Sequence, residues 1–178
     1  MSSLASPPWT LSPLPSQITA AGTGLFLAAG RIPQDSTLLF YTGTLLTTAQ
    51  VFKARREDTA SDGGYLMRLG MSSHSGIVWI DAESDPTILA RYINDPLLPL
   101  AYNVKFVKRP ESSHAEVVAT RDIVEGEELF VDYGAGYWRG VSYKPTKLKA
   151  VELGGSYVRI RGKGAQLPTE QCVAVADM

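Results

Sequence analysis

The feature that most constrains the fold is the spacing of apolar runs between residues 18 and 140. Runs of four to eight mainly apolar residues are each interrupted by glycine, proline, aspartate or serine, which is typical of short strands joined by turns. These runs are 36–43, 64–69, 76–82, 102–107, 115–122 and 127–134. We therefore predict a mostly β fold with short helices.

Two segments have the pattern of helices instead. Residues 45–57 end in basic side chains, which interact favourably with a helix C-terminus, and Thr47 or Thr48 is the expected N-cap. Residues 84–95 carry apolar pairs four residues apart and begin with Asp85 as the expected N-cap. We predict one short helix in each segment.

The chain of 178 residues fits one domain with additional segments at its ends. Residues 1–17 are rich in serine and proline, which predicts a flexible or polyproline-like leader. Residues 18–140 form the predicted domain, and residues 141–178 form a C-terminal extension in which 156–162 alternates like an exposed strand.

Charge is distributed unevenly along the chain. Residues 139–163 hold seven basic side chains and one acidic one, whereas the whole chain has a net charge of -1. That balance excludes a protein whose entire surface attracts nucleic acid or anionic membrane. The basic segment is interpreted as a contact for an acidic partner or nucleic acid, as a cover for a substrate channel, or as a solvated appendage.

Several classes of protein are excluded by what the sequence lacks. The one cysteine, Cys172, can form neither an intrachain disulfide nor a cysteine-rich zinc cluster, and we predict no metal site. No apolar run approaches the roughly 18 residues that a transmembrane helix needs, so no membrane association is expected. The two histidines, His74 and His114, lie in polar segments that do not indicate a hydrolase.

Seven short motifs occur in a specific order along most of the chain. Each alone has an ordinary explanation as a turn, a helix end or a hairpin, and GTG has Leu27 where a dinucleotide-binding motif needs a third glycine. The motifs are GTG (22–24), YTG (41–43), GYLMRL (64–69), IDA (80–82), ARYIND (90–95), ATRDIVEGEELFVDYG (119–134) and YW (137–138). In this order they resemble the SET domain of protein lysine methyltransferases over roughly residues 18–139. The resemblance implies small curved sheets with a threaded, pseudoknot-like C-terminal core.

The resemblance also implies an activity, the transfer of a methyl group from S-adenosylmethionine to the ε-amine of a lysine in a protein or peptide. Histone tails are the commonest family targets, which implies a nuclear location, with the cytoplasm as the alternative. A lysine has a pKa near 10.4, so its neutral amine must be favoured by a narrow apolar channel that disfavours the charged form.

Site residues follow from positions that match the family motifs. Tyr133 of DYG matches the catalytic tyrosine, whose hydroxyl would position the amine and the methyl group. The residues matching the substrate channel are Tyr41, Met67, Val131 and Tyr137. The residues matching the cofactor site are Gly22, Thr23, Gly24, Leu25, Tyr65, Arg91, Asn94, Asp95 and Trp138.

Strand alternation over 127–134 adds an expectation about the product. It places Leu129, Val131 and Tyr133 on one face, so Val131 should look into the channel. In the family a tyrosine at this position tends to hold a water and to limit the enzyme to one methyl group. Valine has no hydroxyl, so we expect di- or trimethylation.

The main departure from the family pattern is Asp95, which stands where a histidine is usual. A carboxylate in the channel would favour the ammonium form, so Asp95 should point away from the channel or slow the enzyme. Asp95→His is then expected to leave activity unchanged or to raise it. The departure keeps a second interpretation open, a SET-like module that binds peptide, protein or nucleic acid without methylating it.

Overall fold

The computed structural model describes residues 7–56 and 64–140, so the prediction for the basic segment after residue 140 lies outside the described residues. The strands are β1 (Thr10–Pro15), β2 (Thr23–Ala29), β3 (Arg31–Ile32), β4 (Thr37–Tyr41), β5 (Thr44–Thr47), β6 (Leu66–Ser72), β7 (Gly76–Asp81), β8 (Val104–Arg109), β9 (His114–Ala119) and β10 (Ile123–Val124). The α-helices are α1 (Thr48–Arg56) and α2 (Gly134–Gly140), and 3₁₀ turns span Leu89–Tyr92, Pro99–Ala101 and Pro110–Ser112. The predicted mostly β fold is confirmed.

The strands form small antiparallel sheets rather than one large sheet. Two sheets have three strands, in the orders β4-β9-β8 and β5-β7-β6, and two pairs, β1-β2 and β10-β3, complete the set. One buried apolar cluster joins β2, both three-stranded sheets and the segment 127–131 through Leu27, Ile80, Val117 and Leu129. Among the described residues, no helix is long and apolar enough to cross a membrane.

The N-terminal segment corrects the prediction of a flexible leader. Thr10–Pro15 forms β1, which pairs antiparallel with β2 from Thr10 opposite Ala29 to Pro15 opposite Thr23. Prolines are compatible with this strand because β1 is an edge strand, in which a missing N–H does not interrupt a ladder. The division of the chain into domains stays a prediction.

The first predicted helix forms, but it is shorter than expected. Residues Thr44–Thr47 form β5, and α1 begins at Thr48. Thr47 is the N-cap, as one of the two alternatives predicted. Its hydroxyl accepts the Gln50 N–H at 3.3 Å, and the Gln50 amide oxygen accepts the Thr47 N–H at 2.8 Å. This reciprocal pair of hydrogen bonds fixes the start of the helix.

The prediction of a helix over 84–95 is wrong, because only the 3₁₀ turn Leu89–Tyr92 forms there. The Asp85 carboxylate accepts the Thr87 N–H at 2.9 Å and the Thr87 hydroxyl at 2.6 Å, a local turn that competes with helix formation. Beyond the turn Ile93 is extended, and Asn94 forms a parallel bridge with Phe130.

The segment 127–131 is not a regular strand; it threads between two parts of the chain. The Leu129 N–H donates to the Leu25 carbonyl at 2.7 Å, and the Val131 N–H donates to the Asn94 carbonyl at 3.0 Å. The buried Asn103 side chain binds the segment directly, because its amide oxygen accepts the Phe130 N–H at 2.7 Å. The expected threaded core is thus present although the expected strand is not.

The predicted alternation within this segment is confirmed. Leu129 and Val131 are buried in the main core, and Tyr133 packs against the same cluster. Phe130 points the other way into a second cluster with Ile18, and Asp132 is exposed.

Candidate active site

A cavity of about 840 Å³ lies where β6, β8 and the end of the threaded segment meet. Its lining includes the predicted catalytic residue and every predicted channel residue, together with one residue predicted for the cofactor. These are Tyr133, Tyr41, Met67, Val131, Tyr137 and Arg91. Residues that are far apart in the sequence therefore line one cavity.

A second wall of the cavity was not predicted. β8 contributes Val104, Lys105, Phe106 and Lys108, and the ring of Phe106 lies edge-on to Tyr41 at 5.6 Å between centroids. The sequence predicts a strand over 102–107. Nothing in that strand matches a family motif, so the sequence does not assign it to the site. Trp79, Tyr102 and Thr120 also line the cavity, with no signal that identified them.

The Tyr133 hydroxyl is held by a backbone acceptor at the cavity. It donates to the Ile93 carbonyl at 2.7 Å. The Tyr133 ring packs edge-on against Tyr137 at 4.7 Å and is stacked with Trp138 at 5.8 Å. Burial raises the pKa of Tyr133, and the neighbouring Tyr137 and Tyr41 raise it further. The hydroxyl is therefore protonated at neutral pH and is suited to positioning a group rather than to acting as a base.

A second group of contacts at the site joins Tyr41, Tyr65 and Arg91. The buried Tyr41 hydroxyl donates to the Tyr65 carbonyl at 2.6 Å, and burial followed by the nearby Asp81 raises the pKa of Tyr41. The Arg91 guanidinium lies 3.9 Å from the centre of the Tyr65 ring, close enough for a cation–π interaction. Its Nε is buried and has no hydrogen-bond partner within the described residues.

Asp95 is buried and accepts hydrogen bonds from four different residues. One carboxylate oxygen accepts the Leu97 N–H at 2.8 Å and the Tyr102 hydroxyl at 3.0 Å. The other accepts the Tyr133 N–H at 3.0 Å and the Trp138 indole N–H at 2.8 Å. The carboxylate does not line the cavity. It ties Trp138 of α2 and the backbone of Tyr133 to the 95–102 loop.

These contacts reverse the reasoning behind Asp95→His. An uncharged imidazole has one donor and one acceptor nitrogen, so it cannot accept the four hydrogen bonds that Asp95 accepts. We now expect this substitution to weaken the site instead of leaving it unchanged.

The glycine motif is shaped by a second buried carboxylate. Glu128 accepts the Ser16 hydroxyl and the Gln17 N–H, each at 2.7 Å, and the Asn94 side-chain amide at 3.3 Å. Burial raises the pKa of Glu128 more than these hydrogen bonds lower it. A side chain at Gly24 would overlap the Glu128 carboxylate. The requirement for glycine at position 24 therefore arises within the protein.

The remaining residues predicted for the cofactor do not line the cavity. The Asn94 amide donates to the Thr23 carbonyl at 3.0 Å, which links ARYIND to GTG. Gly22 has a positive φ of 73°, and a side chain there would meet no atom within 4 Å, so its backbone faces open space. Leu25 is fully buried in the core, so packing alone explains why this position is apolar, and no contact with a cofactor is needed to explain it.

The chain is similar to proteins of known family. A model of the SET domain matches residues 22–134. A structure of the Chaetomium thermophilum polycomb repressive complex 2 is 30% identical over 70% of this chain, with a TM-score of 0.52. The ctPRC2 structure bound to S-adenosylmethionine is 28% identical over 72% of this chain, with a TM-score of 0.54. The ATXR5 SET domain in complex with histone H3 is 23% identical and covers 72% of this chain and 58% of that chain, with a TM-score of 0.52.

The fold is therefore that of SET-type lysine methyltransferases. The chain belongs to the SET domain family, because the family model matches more than half of its length. It spans 15% of the length of the polycomb chains it resembles. No curated protein sequence matches it.

Proposed function

We propose that this protein transfers a methyl group from S-adenosylmethionine to the ε-amine of a lysine in a protein substrate. A histone is the substrate that the family favours, and a nuclear location follows from that. The observation that carries the proposal is the cavity, in which the Tyr133 hydroxyl, fixed at 2.7 Å from the Ile93 carbonyl, meets aromatic walls.

The residues beside the cavity fit the cofactor. S-adenosylmethionine supplies an electrophilic methyl group on a sulfonium. The open backbone at Gly22 would accommodate its amino-acid portion, and Asn94, which already contacts Thr23, would provide a further polar group. The Nε of Arg91, which has no hydrogen-bond partner in the described part of the chain, is a donor for a carboxylate, and Trp138 provides an aromatic surface for adenine. A SET neighbour is bound to this cofactor, which supports the assignment.

The channel residues would prepare the lysine. Tyr41, Val131, Tyr133 and Phe106 present rings and an aliphatic side chain that exclude water, which lowers the pKa of an inserted amine. The Tyr133 hydroxyl is protonated and donates to Ile93, so its oxygen can accept a hydrogen bond from the amine and orient its lone pair. No strong base is needed near the reacting nitrogen if the amine enters the channel in its neutral form.

Val131 bears on how many methyl groups are added. It lines the cavity next to Tyr133 and presents no hydroxyl that could anchor a water. We propose that the enzyme adds two or three methyl groups, with Tyr41 and Tyr137 as the remaining steric limits.

The experiment compares Tyr133→Phe with the control variant Tyr92→Phe. The Tyr92 hydroxyl donates to the Pro86 carbonyl at 3.2 Å, and Tyr92 does not line the cavity. Binding of S-adenosylmethionine is measured by calorimetry, and methyl transfer is measured with labelled cofactor on histones, nucleosomes and cell extract. Tyr133→Phe should remove most activity, whereas Tyr92→Phe should retain it.

Equal activity of the two variants would contradict the role of Tyr133. Cofactor binding without transfer, or no cofactor binding at all, would favour the alternative of a SET-like binding module.

A further inference from the structure

The charges that line the cavity are unusual for a protein with a net charge of -1. Among the described lining residues, four are cations and one is a carboxylate, Asp132. The cations are Arg68, Arg91, Lys105 and Lys108. Arg91 is stacked on Tyr65, so the other three make up the part that we call the basic wall.

The basic wall is formed where two sheets meet. Arg68 lies on β6, and Lys105 and Lys108 lie on β8. The Lys108 ammonium donates to the Arg68 carbonyl at 2.7 Å, which joins the two strands at the cavity edge. Burial and the neighbouring Arg68 both lower the pKa of Lys108. Arg68 and Lys108 are therefore close enough to repel one another.

The carboxylates nearest in sequence are engaged elsewhere. Glu116 accepts a hydrogen bond from the Arg109 guanidinium at 2.9 Å, and Glu111 is bonded to Ser72 and Ser73. In residues 7–56 and 64–140 no ion pair joins a carboxylate to any member of the basic wall. A ligand in the cavity would therefore meet an excess of positive charge, since Asp132 is the one carboxylate among the described lining residues.

We propose that this site selects a lysine whose neighbours in the substrate are acidic, a specificity that rests on the proposed methyltransferase function. The target lysine enters between the aromatic residues, and aspartate or glutamate side chains beside it pair with Arg68, Lys105 and Lys108. A lysine flanked by arginine and lysine is repelled by the same wall, so the selection narrows the proposed histone substrate to a lysine without basic neighbours.

The positive wall also acts on the target amine itself. Like charges disfavour the ammonium form, so the cations add to the effect of burial in lowering the pKa of the amine. Acidic neighbours on the substrate offset the repulsion that the whole segment would otherwise meet.

Three fluorescein-labelled peptides test the proposal, each with one central lysine flanked by aspartate and glutamate, by serine and glycine, or by arginine. Binding to the full chain is measured by anisotropy in the presence of S-adenosylhomocysteine, at low and at high salt. The acidic peptide should bind about tenfold more tightly than the neutral one at low salt, since each exposed ion pair contributes a fewfold at most. The difference should shrink at high salt.

Charge reversal provides the matched comparison. The double variant Arg68→Glu, Lys105→Glu changes two exposed side chains of the basic wall and should reverse the order of the acidic and basic peptides. Lys53→Glu makes the same kind of change on α1, outside the cavity lining, and should leave the order unchanged.

Equal affinity for all three peptides, or an equal effect of Lys53→Glu, would overturn the proposal. Methyl transfer is measured on the same peptides so that the two proposals fail separately. Transfer without charge preference removes only the specificity. Charge preference without transfer to any peptide leaves the specificity in place and removes the proposed enzyme activity.

Discussion

Replacing Asp95 by asparagine is expected to destabilise the protein strongly, although the two side chains have nearly the same shape. The carboxylate accepts four hydrogen bonds, two on each oxygen, in a position that is 2% exposed. Asparagine offers one acceptor oxygen and an amino group that only donates. If the oxygen keeps Leu97 and Tyr102, the amino group faces the N–H groups of Tyr133 and Trp138.

The magnitude follows from these contacts. Two hydrogen bonds to a charged acceptor are lost, at about 1.5–3 kcal/mol each, and part of this is recovered because a neutral amide costs less to bury than a carboxylate. We expect a net loss of roughly 2–4 kcal/mol, which is a large fraction of the roughly 5–15 kcal/mol that stabilises a typical domain. The melting temperature should then fall by on the order of 10 °C.

Urea unfolding followed by circular dichroism measures the loss, with Asp35→Asn as the control. Asp35 is exposed and has a positive φ of 63°, which asparagine also tolerates, so the same change of charge should have little effect there. An Asp95→Asn protein as stable as the Asp35→Asn protein would refute the reasoning. Trp138 fluorescence gives an independent readout, because its indole N–H loses its acceptor.

Three further changes have distinct expected outcomes. Gly24→Ala should lower thermal stability by about 1–3 kcal/mol, because the added methyl overlaps the buried Glu128 carboxylate; an unchanged melting curve would argue against that packing. Hydrogen bonds from the Ser73 N–H and the neighbouring side chains lower the pKa of Glu111 from 4.5 to about 2. Its contribution to stability is therefore present above pH 4.5 and is lost as the pH falls towards 2. Glu111→Gln should flatten this part of the stability profile in urea titrations at several pH values. Val131→Tyr should shift the product towards monomethyl-lysine in mass spectra of a completed reaction, and monomethyl-lysine as the only product of the unmodified enzyme would contradict the proposed role of Val131.

The elements that could be predicted from the sequence are those whose pattern is local. Short apolar runs bounded by turn residues predict β6 and β9, and Thr47, one of the two threonines predicted as N-cap, directly precedes α1. The prediction of a helix over 84–95 is wrong because the spacing of its apolar residues is helical, whereas in the structure Asn94 pairs with Phe130, which is distant in the sequence. No local pattern contains that partner.

The helix α2 shows the opposite case. Its sequence GAGYWRG has glycines where helices are weakened, so no helix was predicted. It forms because Asp132 accepts the Gly134 N–H at 2.7 Å and Asp95 accepts the Trp138 indole N–H. The first of these contacts is local and could have been found, but the second depends on the tertiary fold.

The candidate site was predictable to the extent that family motifs carry it. Tyr41, Met67, Val131 and Tyr137 were assigned from motif order, and the structure gathers them at one cavity. The basic wall on β6 and β8 could not be predicted, because it depends on which strands meet in space and not on a motif. Charge at a cavity is a property of several strands together.

The threading of residues 127–131 has a consequence for how the chain is made. The residues that pair with Leu25 and Asn94 are translated long after them, so the emerging N-terminal part leaves the ribosome without its partners. Until residue 131 is free, Leu25 and Leu27 lack the residues that bury them, and the carbonyl of Asn94 lacks its donor. Contacts between such distant residues form slowly, so we expect this core to fold in one cooperative step only after residue 131 has left the ribosome. A chain that ends before residue 127 should remain open and be degraded rapidly, instead of persisting as a smaller folded protein.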